Sequence, residues 1–236
     1  MKVPVLAYHK IDFPTPDVKI RGAFTAPRKF ERQIAYLRKK GFQFYAASEL
    51  IRFYLERGEF PPRSLCLTFD DGWKDNYVNA FPILKKYDAR ATVFLVPAFI
   101  GQTTDAVTAD GEGAREHLSE KDILEMSKSG VEFASHSFSH KLFDRTGAEE
   151  IEFEVTESKK IIENLTQKEC STFAYPAGFF TDFAKDAIRR AGYDAAFSTR
   201  YGADDRLDMY ALNRVEILRR DSFPFRFGRK IKSIFK

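Results

Sequence analysis

The 236 residues are 44% hydrophobic and 31% charged, enough apolar material for one full core and too much for a disordered chain. No uninterrupted apolar run nears the roughly 20 residues that span a bilayer, and the first eleven residues carry no basic leader or cleavage site, so a cytoplasmic protein, soluble or at most peripheral, is expected. The net charge of +4 is uneven, with eight Lys or Arg against two acids from 214 to 236 (+6) and 30 against 32 before that (−2); the basic excess sits in the tail, and without a recognition motif elsewhere nucleic-acid binding is not expected.

In chain order, short β-prone runs alternate with segments of helical spacing. The runs predict strands over 4–8, 64–69, 91–96, 131–135, 172–175, 195–199 and 212–217. Between them the apolar periodicity predicts helices over 28–40, 48–57, 75–87, 119–129, 149–165 and 181–191. The fourth of these segments, 119–129, opens on Ser119-Glu120-Lys121-Asp122, a helix-start pattern, and the last closes at Gly192. About seven strand–helix units in one domain predict an α/β fold with a parallel sheet, closed or nearly closed into a barrel, with a doubly wound sheet as the alternative. Two segments break the alternation. Residues 101–117 read as a polar insertion, either a surface loop with an exposed His117 or a lid; residues 221–236 form a basic, aromatic tail after a domain spanning 1–220. Cys66 and Cys170 match no metal or redox spacing, and Cys66 reads as a small core residue.

In a parallel α/β fold the chemistry belongs on loops at the carboxyl ends of strands. Four predicted strands end on unusual polar or turn-forming residues: Tyr8-His9, Phe69-Asp70-Asp71-Gly72, Ser135-His136 followed by His140, and Tyr175-Pro176-Ala177-Gly178. Adjacent carboxylates at a strand end repel each other and lose hydration, a cost that a cation offsets. A turn with Asp as helix cap and Gly72 at positive φ explains the same residues more plainly. Two imidazoles four residues apart share a face if the segment makes a helical turn, although two unrelated loop histidines have the same spacing. Taken together, two His and one Asp give three ligands with an open position, the pattern of a catalytic zinc site, and leave one carboxylate over as a general base.

Thr68-Phe69-Asp70-Asp71-Gly72, then His136-Ser137-x-x-His140, then Phe173-Ala174-Tyr175-Pro176-Ala177-Gly178, resemble the ordered motifs of the polysaccharide deacetylases, carbohydrate esterase family 4, over about 3–217. The resemblance implies a distorted (β/α)7 barrel in which Asp70 is the catalytic base and Asp71, His136 and His140 hold a divalent metal, zinc first, with cobalt, nickel or manganese as alternatives. It implies removal of an N-acyl group, most simply acetyl, from an amino sugar in a glycan or in a lipid- or nucleotide-linked precursor. Two departures matter. The third motif lacks the family's arginine and aromatic wall, so Arg214 is a candidate cation beside Asp70, with a surface salt bridge as the alternative; the Ala177 N–H still offers an oxyanion donor next to Pro176. The family's late Leu-x-His reads Leu218-Arg219-Arg220, which leaves His9 as the candidate acid, in a context resembling the poly-N-acetylglucosamine deacetylase subgroup, against a satisfied core imidazole. Trp73, Tyr175, Phe179 and Phe180 are candidates for stacking on sugar, with core packing expected for at least two of them. The tail reads either as a peripheral membrane contact over 223–236 or as a helix packed on the barrel. The rival functions are a carbohydrate-binding barrel without turnover, and a metal-dependent deformylase or amidase acting elsewhere.

Overall fold

The computed structural model describes residues 3–104, 113–199, 207–221 and 224–235. The tip of the predicted insertion, 105–112, and Phe223 of the tail lie outside the described residues. The order of elements is β1 (Val5–Tyr8), α1 (Pro27–Lys39), β2 (Gln43–Tyr45), α2 (Ala47–Arg57), β3 (Ser64–Phe69), α3 (Phe81–Lys86) and β4 (Ala91–Leu95). There follow α4 (Glu120–Lys128), β5 (Glu132–Ser135), α5 (Ala148–Thr166), β6 (Thr172–Ala174), α6 (Asp182–Arg190), β7 (Ala195–Ser198), β8 (Leu212–Asn213), β9 (Val215–Glu216) and α7 (Phe225–Ile234).

All strand pairs are parallel, in the order β8-β7-β6-β5-β4-β3-β1-β9, with β2 beside the start of β3. The strand expected over 212–217 divides at Arg214 for a topological reason. Its first part pairs with β7 and its second with β1, and the Arg214 and Ile217 N–H groups donate to Ser198 and Ala7. One segment therefore joins the two ends of the sheet, and the result is a single α/β domain with a nearly closed, distorted barrel. Strands β1, β3 and β4 are buried along their whole length, as strands covered on both faces must be.

The helices form where the periodicity expects them. On α1, which has Pro27 at its first position, Phe30, Ile34 and Leu37 are buried at i, i+4 and i+7. Ser119 caps α4 by accepting from Asp122 N–H, while the Asp122 carboxylate accepts from Ser119 N–H. The predicted helix 75–87 instead opens with a π turn over Asn76–Ala80 before α3, and Phe81 N–H donates to Asn76 O. Pro82 has no N–H for the carbonyl four residues back, which accounts for the widened turn. The three-residue β2 went unpredicted; a strand this short has no readable alternation.

The tail is a helix packed on the barrel. Phe227, Ile231 and Ile234 are buried, Phe227 sits edge-on to Tyr36, and Phe42 contacts Phe235. Lys230 ties it down by donating to Asp221 and to the Glu216 carbonyl. Its apolar stripe is thus used against the barrel, leaving Phe225, Arg226, Arg229, Lys232 and Phe235 outward. Among the described residues no helix is long and apolar enough to cross a membrane.

Candidate metal centre and active site

Because the barrel strands are parallel, the ends of β1, β3, β5 and β6 open on the same rim, and they deliver His9, Asp70 with Asp71, His136 and Tyr175. Asp71 leaves β3 with φ 72° and Gly72 follows with φ 70°. A non-glycine residue in this left-handed region is costly, and such positions concentrate at functional sites. A side chain at Gly72 would also bring its Cβ to 2.8 Å from Leu95 Cδ2.

The Asp71 Oδ1 atom lies 3.5 Å from His136 Nε2 and 3.4 Å from His140 Nε2. The histidines do not meet through a helical turn. Residues 136–140 form an irregular loop in which Ser137 (φ 64°) and His140 (φ 63°) are both left-handed. The Ser137 hydroxyl accepts from His140 N–H, and the buried Glu154 of α5 accepts from the N–H and hydroxyl of Ser139. Four-residue spacing brings the rings together here because a serine turn and a buried carboxylate fold the loop back, which spacing alone cannot distinguish from a helix.

The chemistry of the three donors fits a divalent cation. His136 Nδ1 lies 2.7 Å from the Ala174 carbonyl, which can only accept, so Nδ1 carries the hydrogen and Nε2 presents a lone pair toward Asp71. Burial, only partly countered by Asp70, pushes the His136 pKa down to about 4, so the ring is neutral at physiological pH. The Asp71 carboxyl is held well below the usual range: burial opposes ionisation, but His140, His9 and His136 outweigh it. An ionised carboxylate facing two imidazole nitrogens, one of them fixed as an acceptor, is the donor set of an open three-ligand metal site. The other Asp71 oxygen, Oδ2, accepts from the Trp73 indole N–H at 2.9 Å.

Asp70 remains outside this triad. Its two oxygens accept from Arg214 at 2.7 and 2.8 Å, and the same guanidinium donates to Thr68. Arg214 is only 2% exposed, so the alternative of a surface salt bridge is rejected. Burial raises the Asp70 carboxyl, yet Arg214, His136 and His9 together hold it below its ordinary range. His9 Nε2 stands 3.9 Å from Asp70 Oδ2, beyond a direct hydrogen bond, while Asn76 secures the His9 carbonyl.

The remaining candidates divide. Tyr175 is fully buried, donates to the Tyr210 carbonyl and packs on Phe180, so it is a core residue and not a sugar platform. Trp73 is 4% exposed and likewise offers no free face. Phe179 is exposed, Pro176 is buried, and Ala177 is an exposed residue at φ 51° in the turn after β6. His117, expected to be exposed, is 3% exposed and stacks on Trp73 at 4.3 Å. Backbone pairing of the insertion with Trp73 buries it, something its polar sequence neighbours conceal.

Asp75, which follows the triad loop, is buried. It accepts from the Ile11 N–H and from Asn76, and burial pushes its pKa up to about 7. The folded protein therefore holds a proton that the unfolded chain releases near pH 4. This group's contribution is full at low pH, declines as pH rises from about 4 to about 7, and is gone above that. Asp75→Asn keeps the acceptor oxygen and removes the titration. Urea melts are expected to show the variant gaining on wild type between pH 4 and pH 8 by on the order of 2–4 kcal/mol; a constant difference would show that Asp75 titrates normally.

Comparison with known proteins gives a consistent picture. The family profile described as polysaccharide deacetylase matches residues 57–196. The Bacillus subtilis protein YxkH is 29% identical over 218 residues, covering 92% of this chain and 71% of its own. The poly-β-1,6-N-acetyl-D-glucosamine N-deacetylase of Staphylococcus aureus is 30% identical over 198 residues, covering 80% of this chain but only 65% of that protein. Among solved structures, the deacetylase PplD of Streptococcus pyogenes, in complex with acetate, superimposes with a TM-score of 0.84 at 28% identity and covers 98% of both chains.

Proposed function

This chain belongs to the polysaccharide deacetylase family, and we propose that it is a metal-dependent hydrolase removing N-acetyl groups from amino sugars in a glycan or a lipid- or nucleotide-linked glycan precursor. The observation that carries the reading is the pairing, on one rim, of an Asp71–His136–His140 donor set with a second carboxylate, Asp70, ionised by Arg214. A divalent cation held by those three donors supplies Lewis acidity, which acidifies water and polarises an acyl carbonyl.

The chain's own residues do the rest. Asp70 takes the proton of the attacking water, and Arg214 keeps that carboxylate ionised and fixes the plane of both its oxygens. The Ala177 N–H donates to the oxyanion, a role that needs no side chain and so survives the loss of the usual motif. His9, whose Nε2 stands 3.9 Å from Asp70 Oδ2, delivers a proton to the departing amine, since no histidine follows His140. The similarity to the poly-β-1,6-N-acetyl-D-glucosamine N-deacetylase of Staphylococcus aureus supports the choice of substrate class.

Acetate release from N-acetylglucosamine oligomers tests the proposal. Release is expected with zinc or cobalt, is lost on chelation and returns on re-addition. Metal-loaded, folded protein that binds the oligomers and releases neither acetate nor formate would instead favour the binding-barrel reading.

A further inference from the structure

We propose that Lys10 and His117 are positioning residues of the metal centre, acting through Trp73 on the carboxylate of Asp71. The inference rests on the proposed metal site and extends it outward. Of the two Asp71 oxygens, Oδ1 faces both imidazoles, and Oδ2 accepts the Trp73 indole N–H at 2.9 Å. The indole thus determines which oxygen is offered and in what plane, the task that outer-sphere partners perform for carboxylate ligands.

Two polar side chains hold that indole. The Lys10 ammonium, on a residue 1% exposed, lies 3.9 Å from the ring centroid, and the His117 imidazole stacks on the indole at 4.3 Å with an interplanar angle of 26°. A buried lysine loses hydration, and an apolar side chain of similar length would fill the space without that loss. The ammonium is attracted to the indole face and brings positive charge to the Asp71 side of the site; Lys10 is among the charges favouring the ionised Asp71. His117 is held in its turn by backbone. Leu118 N–H donates to Gly72 and Lys74 N–H to Glu116, so 116–118 runs antiparallel to 72–74, and His117 N–H reaches Gln102. Phe99 lies between the two imidazoles, tilted against each, 5.0 Å from His117 and 6.3 Å from His140. Supports for Asp71 and for His140 therefore converge on one imidazole that the sequence places far from both.

The test is a cobalt(II) titration of the full chain, following both affinity and the visible d–d absorption, which reports ligand geometry. Trp73→Phe is expected to weaken binding about 10- to 100-fold. His117→Ala and Lys10→Met are each expected to weaken it several-fold and shift the absorption band, while His117→Phe, which keeps a flat ring, restores wild-type behaviour. A purely structural role would lower melting temperatures and leave affinity and spectrum alone. His136→Ala, run alongside, separates the two levels. If it binds cobalt like wild type, the metal site itself is wrong. If it loses cobalt while Trp73→Phe, His117→Ala and Lys10→Met titrate like wild type, the positioning inference is overturned.

Discussion

Asp70→Asn is expected to lower the turnover number for acetate release by about 10²- to 10⁴-fold, the usual contribution of a positioned general base, while cobalt affinity stays within about twofold of wild type. The separation follows from the geometry. Asp70 has both oxygens on Arg214, and the three cation donors are Asp71, His136 and His140. Asn preserves shape and one acceptor and removes the proton-accepting charge. Circular dichroism melts and parallel metal titrations distinguish loss of the base from loss of the fold or of the site. Retained turnover would place the base elsewhere, and His9, 3.9 Å away, would be next in line.

The second large effect belongs to Arg214. Removing one member of a buried, bidentate ion pair leaves an uncompensated charge, which typically costs 3–5 kcal/mol; with Arg214 and Asp70 both almost wholly buried, Arg214→Met is expected to lose about that much in chemical denaturation at neutral pH. Turnover falls as well, because burial then dominates the Asp70 carboxyl and raises it toward protonation. Arg214→Lys restores the charge without the two-pronged geometry and is expected to recover stability more than turnover. A double variant with Asp70→Asn, in which no lone carboxylate remains, should lose less than the two single costs added together.

How far the site could be read from sequence follows from where each residue gets its geometry. His9, Asp70, Asp71 and His136 follow strands directly, and parallel strands share one polar rim, so a strand pattern was enough to bring them together. Arg214 sits 144 residues from Asp70, and its side chain turns inward because the strand around it hands over from β7 to β1; a period-2 pattern shows no such handover. His117 was hidden by composition: its neighbours are polar, and only the pairing of 116–118 with 72–74 buries it. Glu154 carried a signal that went unused. It lies on the same face of α5 as Ile151, Val155 and Ser158, where a carboxylate without a partner would be costly; its partner is the Ser139 turn that presents His140. The aromatic candidates fell short because Trp73 and Tyr175 carry polar handles that found partners inside the protein, one on Asp71 and one on Tyr210.

Anomalous diffraction at the cobalt edge, from crystals grown with cobalt(II), addresses the central claim most directly. The account predicts one strong difference peak at bonding distance, about 2.0–2.2 Å, from Nε2 of His136, Nε2 of His140 and a carboxylate oxygen of Asp71, with Asp70 still on Arg214. A peak coordinated by other side chains, or no peak from protein that is folded and saturated with the ion, would contradict it.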